Sequence, residues 1–207
     1  MKKNRMMRAA SALLVAVLLT TCTISGTFAK YVTEVNASDN ARVAAWGFGT
    51  TSKIEFDLFD SSYNDTVTAS NSDNLIAPGT TKTTKVKLNY AGTVGKPAPE
   101  VDYTIDLDVD LANTSIDDGI NGNPNIDWFF NGVWFDSWAA MLTAIDGYHE
   151  DVQANALPTI ANTGIEIGWN WKFSTDATMD SYDTAMGDAN PLDTVKLTIN
   201  LTATQVD

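Results

Sequence analysis

Residues 101–111 read VDYTIDLDVDL. Val101, Tyr103, Ile105, Leu107, Val109 and Leu111 alternate with Asp102, Thr104, Asp106, Asp108 and Asp110. A period of two is the period of a strand, whose successive side chains point to opposite faces. One face is apolar and the other acidic, so this strand belongs to a sheet wetted on one side only, the antiparallel kind. Four more runs repeat the pattern. TVKLTINLTAT (194–204) turns Val195, Leu197, Ile199, Leu201 and Ala203 one way. IEIGWNWKF (165–173) aligns Ile165, Ile167, Trp169, Trp171 and Phe173. KIEFDL (53–58) and KVKLNY (85–90) are shorter copies. A single sheet would leave its apolar face in water, and two packed sheets remove that cost. The expectation is an all-β, antiparallel β-sandwich or jelly roll.

The punctuation agrees. APGTT (77–81) and GKPAP (95–99) supply turns. DWFFNGVWF (127–135) reads as a hairpin with Asn131-Gly132 at its tip, because that pair tolerates the positive φ of a type I′ turn. One segment changes period. In DSWAAMLTAIDG (136–147), Trp138, Met141, Leu142 and Ile145 fall at i, i+3, i+4 and i+7, with Asp136 or Ser137 to cap the start and Gly147 to end it. This predicts one short amphipathic helix over an end or edge of the sheets. ARVAAWGF (41–48) is read as the first strand of the domain.

The first 29 residues are different. MKKNRMMR carries four positive charges, AASALLVAVLL is apolar, and small residues follow. A basic head, a short apolar middle and Thr27 and Ala29 at the −3 and −1 positions make a secretory signal peptide, an N-terminal signal helix cut at Ala29–Lys30. The strongly apolar stretch falls short of the roughly 20 residues of a spanning helix. Two alternatives stand beside this reading: a retained membrane anchor, and a lipoprotein whose first residue is Cys22, the sole cysteine. Cleavage after Ala29 leaves a chain with no cysteine, hence no disulfide and no thiolate chemistry. The expected organisation is signal peptide 1–29, extended segment 30–40 and β-sandwich domain 41–207.

Charge narrows the partners. The 13 Lys and Arg include four in the signal segment, which holds none of the 26 Asp and Glu. Nine basic residues then face 26 acidic ones, a net charge of −17 on the processed chain. That argues against nucleic acid and anionic membranes as partners. The membrane is met only through the uncleaved signal peptide.

The residues show little enzyme chemistry. His149, in GYHED, is the only histidine, so H-E-x-x-H is impossible and no cysteine replaces it. No G-x-S-x-G nucleophile elbow and no Gly-rich phosphate loop occurs. No catalytic residue and no cofactor site is assigned. Two oxygen-rich stretches are candidate Ca²⁺ loops, since that ion takes six to eight oxygens. DDGINGNPNID offers Asp117, Asp118, Asn121, Asn123, Asn125 and Asp127, and DATMDSYDTAMGD offers Asp180 and Asp183 beside Asp176 and Asp188. Asp and Asn are equally ordinary turn formers. The acid row of 101–111 is read as a solvated face paired with lysines. A hairpin of KVKLNY with VDYTID would put Lys85 opposite Asp106. Among the six tryptophans, Trp169 and Trp171 share parity with Ile165 and Ile167 and are assigned to the core.

The junction GTFAKYVTEVNASDNARVAAWGF (26–48) resembles secreted proteins of Gram-positive bacteria whose export uses a SipW-type signal peptidase, the TasA/camelysin family of biofilm-fibre proteins. LIAPGTTKTTKVKLN, GWNWKF, DSYDTAMGD and the terminal LTINLTATQVD look like further shared stretches. The resemblance implies a jelly-roll-like domain that is exported, cut and assembled into extracellular fibres, with the N-terminal segment of one subunit adding a strand to the next. Camelysins are described as metal-dependent proteases, but no residue here carries that activity over. In KYVTEVNASDN, Tyr31, Thr33 and Val35 lie on one side, Val32 and Glu34 on the other, which makes Tyr31, Val32, Thr33 and Val35 a candidate donor strand. The partners so implied are other copies of the chain, the signal peptidase and an extracellular matrix polysaccharide. An adhesive, polysaccharide-binding module is the alternative function.

Overall fold

The computed structural model describes residues 10–15, 43–48, 52–63, 67–70, 73–92, 97–173, 176–188 and 191–206. The chain divides after Val43 into two units. In the first, residues 10–15 form a helical stretch, α1. The cleavage pair Ala29–Lys30 and the donor-strand residues Tyr31, Val32, Thr33 and Val35 lie outside the described residues. No described helix is long and apolar enough to cross a membrane.

The second unit is mostly β, with antiparallel sheets and a few short helices. In chain order its strands are β1 (Lys53–Glu55), β2 (Ser62–Tyr63), β3 (Val67–Thr68), β4 (Thr81–Asn89), β5 (Tyr103–Val109) and β6 (Ser115–Ile116). There follow β7 (Ile126–Phe130), β8 (Val133–Phe135), β9 (His149–Val152), β10 (Ile165–Trp171), β11 (Val195–Lys196) and β12 (Ile199–Gln205). The helices are α2 (Asp118–Asn121), α3 (Trp138–Asp146), α4 (Thr159–Asn162) and α5 (Ala177–Gly187). Five strands pair in the order β1-β4-β10-β7-β8 and three in the order β12-β5-β9, while β2-β3 and β6-β11 are two-stranded.

The apolar faces read from the sequence supply the core. Val86 and Leu88 of β4, and Ile165, Ile167, Trp169 and Trp171 of β10, join Tyr103, Ile105, Leu107 and Val109 of β5 in one buried cluster. Trp169 is fully buried, and its indole N–H donates to the Leu58 carbonyl at 3.0 Å. Alternation fails at the strand ends. Leu111 and Phe173, given inward parity by the sequence, are 71% and 73% exposed because β5 stops at Val109 and β10 at Trp171.

The hairpin forms at the expected turn. Trp128 pairs with Phe135 and Phe130 with Val133 across Asn131 and Gly132, both at positive φ (46° and 85°). Helix α3 starts at Ser137, whose side chain accepts from the Ala140 N–H, and buries Trp138, Met141 and Ile145. It touches β5, the middle strand of the three-stranded sheet, and β7 and β8 at one side of the five-stranded sheet, where β8 is the edge strand.

Three expectations are corrected. Residues 43–48 are not a strand. They are tied down by a pair of bonds between Ala45 and Glu100 and by the Tyr90 hydroxyl, which donates to the Gly47 carbonyl at 2.8 Å. Gly47 has φ +85°, and a Cβ there would sit 2.8 Å from the Tyr90 hydroxyl oxygen. The stretch 176–188 is a helix, not a loop: Asp176 accepts the Thr178 N–H, and the turns continue to Gly187. Last, β4 and β5 are in different sheets, so Lys85 faces Glu166 and Asp106 faces His149 and Thr202.

Candidate functional site

Among the described residues, β12 is an outer strand of the three-stranded sheet. On its inner side β12 pairs with β5 along seven residues. Just outside the ends of that ladder, the Asp110 N–H donates to the Thr198 carbonyl and the Val206 N–H to the Asp102 carbonyl, both at 2.9 Å. Antiparallel pairing alternates along a strand. The even-numbered residues of β12 therefore address β5, while the N–H and C=O of Ile199, Leu201, Ala203 and Gln205 point the other way. No strand of the described residues pairs with them there. Ile105 and Leu107, in the middle of the sheet, are fully buried, whereas Leu201 and Ala203 are only half-buried.

Beside this edge runs a groove of about 510 Å³, lined by the apolar Trp46, Phe48, Ile54, Leu88, Ile199, Leu201 and Ala203 and by the polar Ser52, Lys53 and Asn200. Its far wall includes β1, the edge of the five-stranded sheet. Trp46 and Phe48 are held in place by aromatic contacts: Trp46 meets Tyr103 edge-on at 6.1 Å, and Phe48 meets Tyr90 and Tyr103 edge-on at 5.4 and 5.5 Å. Tyr103 is itself fixed by its hydroxyl, which donates to Ala156 O at 3.0 Å, and burial pushes its phenol up to about 12. The groove thus sets a row of backbone groups that no described strand pairs with beside the apolar side chains of Trp46, Phe48, Ile54, Leu88 and Leu201. Sequence periodicity marks its residues as inward but does not tell which strand stays at an edge.

The oxygen-rich residues separate into several small networks. Asp117 accepts the backbone N–H and hydroxyl of Thr194 at 2.7 and 2.9 Å. Asp127 pairs with Lys172 at 2.5 Å. Asp118 and Asn121 open and close α2, and Asp180 lies in the first turn of α5, all exposed. Only Asn123, Asn125 and Asp183 come together. They meet as amide donors around one carboxylate, joined by the Trp171 indole N–H, which the sequence reading placed only in the core. Among the described residues, no group of three or more His, Cys, Asp or Glu is placed to hold a metal ion.

His149 is exposed and begins β9. Its Nδ1 is 2.6 Å from Asp106 and its Nε2 is 3.4 Å from Asp151. The bond to Asp106 raises the imidazole above its ordinary value of 6.5, with the charge of both aspartates adding to it. Of the tryptophans, Trp128, Trp138, Trp169 and Trp171 are buried, while Trp134 on β8 is half-exposed, 4.8 Å from Phe129. The chain matches no protein-family model, no curated protein and no solved structure.

Proposed function

We propose that this chain is a secreted structural subunit of an extracellular, biofilm-type fibre of a Gram-positive bacterium. In this reading it is exported, cut at Ala29–Lys30, and folded as a β-sandwich of jelly-roll type. Residues 30–40 of one copy then add a strand to the next. The observation that carries the proposal is the β12 edge, which no described strand covers, beside a groove with aromatic and aliphatic side chains in its lining. The N–H and C=O groups of Ile199, Leu201 and Ala203, which no described strand pairs with, offer the main-chain bonds of strand addition. Tyr31, Thr33 and Val35 supply apolar and β-branched side chains for the groove. Strand donation from copy to copy is heterologous, so it propagates as an open filament and does not close as a dimer.

Two chains test this, one beginning at Lys30 and one at Ala41. Both are expected to melt cooperatively, and only the longer to give filaments by electron microscopy. Equal filament formation by the two would exclude donation. Failure of the shorter chain to fold would instead assign the segment to its own sheet. A second reading, a polysaccharide-binding adhesive module, draws on the exposed ring of Trp134. It predicts retention on matrix polysaccharide that Trp134→Ala abolishes.

A further inference from the structure

Three buried side chains aim N–H groups at one carboxylate. Asp183 Oδ1 accepts from Trp171 Nε1 at 2.9 Å and from Asn123 Nδ2 at 2.9 Å, while Asn125 Nδ2 lies 3.4 and 3.5 Å from the two carboxylate oxygens. The donors are set from beneath. Trp171 is the last residue of β10, and an indole N–H only donates. Asn123 Oδ1 accepts the Asn125 backbone N–H at 2.9 Å, which fixes the orientation of that amide and leaves its Nδ2 for the carboxylate. Asn123, Asn125 and Trp171 are each 5% exposed or less. Such a cradle prefers an anion, because hydrogen bonds to a charged acceptor are about twice as strong as neutral ones.

The anion arrives on a lightly anchored element. Every described side chain of α5 is exposed except Asp183 and Met186, whose sulfur sits 3.2 Å from Asn123 Nδ2. Elements with few buried apolar contacts open at low free energy. The cradle belongs to the core, whereas its occupant sits on a helix whose other described side chains, Met186 apart, are exposed.

We propose that Asn123, Asn125 and Trp171 form a carboxylate-binding cradle, which Asp183 fills as a tethered ligand and which takes a carboxylate from outside when α5 lifts. Tethering gives Asp183 a high effective concentration. The closed form therefore excludes dilute carboxylates and yields to concentrated ones or to one held close by. A ligand that binds only the open form shifts the population toward it.

Hydrogen exchange on the unaltered full chain is one test, with sodium acetate compared against sodium chloride at equal ionic strength. The α5 amides are expected to exchange faster than those of β10 and to speed up several-fold with acetate, while β10 is unchanged. Asp183→Ala is the other. Acetate should raise its thermal midpoint saturably and change its tryptophan fluorescence, with neither effect from chloride or acetamide and neither in Asp183→Ala/Asn123→Ala. Exchange of α5 that ignores acetate overturns the proposal, as does an Asp183→Ala chain that responds to acetate and chloride alike. If Asp183→Ala does not fold, the exchange measurement alone decides.

Discussion

Trp169 is among the largest fully buried side chains. It is fully buried, its indole N–H is satisfied by Leu58, and it meets Tyr63 edge-on at 5.5 Å and Phe59 at 6.3 Å. Truncation leaves a cavity as well as losing transfer free energy. Trp169→Ala is expected to cost about 3–5 kcal/mol in denaturant melts, and a loss below about 1 kcal/mol would contradict this packing. His149 acts in the opposite regime, in water and through charge. Its folded pKa is raised, chiefly by Asp106, so the protonated ring is favoured by the fold. That contribution is complete below the unfolded value near 6.5 and disappears as pH rises through the folded value. The difference in melting temperature between the chain and His149→Gln should therefore be largest below that pH and vanish in mild alkali. A difference that grows with pH would contradict the pairing with Asp106 and Asp151.

At the scale of elements, local chemistry was readable and partnership was not. Asn131-Gly132 announced its turn because few residue pairs accept two successive positive φ values. Gly132 has open space where a Cβ would go, so only backbone strain opposes a side chain there. Gly132→Ala should cost about 1–2 kcal/mol, read as a shift in urea midpoint with an unchanged slope. Helix α3 was legible because its apolar residues keep helical spacing. Helix α5 was not, since among its described side chains only Asp183 and Met186 are partly buried. Alternation told which side of β4 and β5 faces inward, but a period of two carries no information about neighbours. The pairing of Lys85 with Asp106 failed for that reason. The groove was hidden for the same reason: its residues read as ordinary inward positions, and only the strand order leaves β12 at an edge. Filling that groove with charge tests its proposed role. Leu201→Lys should leave the cooperative melt in place and abolish filaments, and normal filaments from it would move the acceptor site elsewhere.

The second unit is knitted from distant pairings. Val86 of β4 lies opposite Ile165 of β10, and Leu107 of β5 lies opposite Leu201 of β12. Neither large sheet is assembled by joining consecutive strands alone. A chain lacking residues 191–207 loses β11 and β12, which removes Leu197 and Ile199 from the core and strips one side of β5. It is expected to show no cooperative thermal transition, and a sharp melt in that truncated chain would mean that β12 is an accessory. The same strand order has a kinetic consequence. Folds dominated by contacts between distant residues form slowly, in roughly milliseconds to seconds. β5 lacks its neighbour on that side until β12 has been made. For a protein exported as proposed, the delay is useful, because the chain stays threadable until β12 has crossed the membrane.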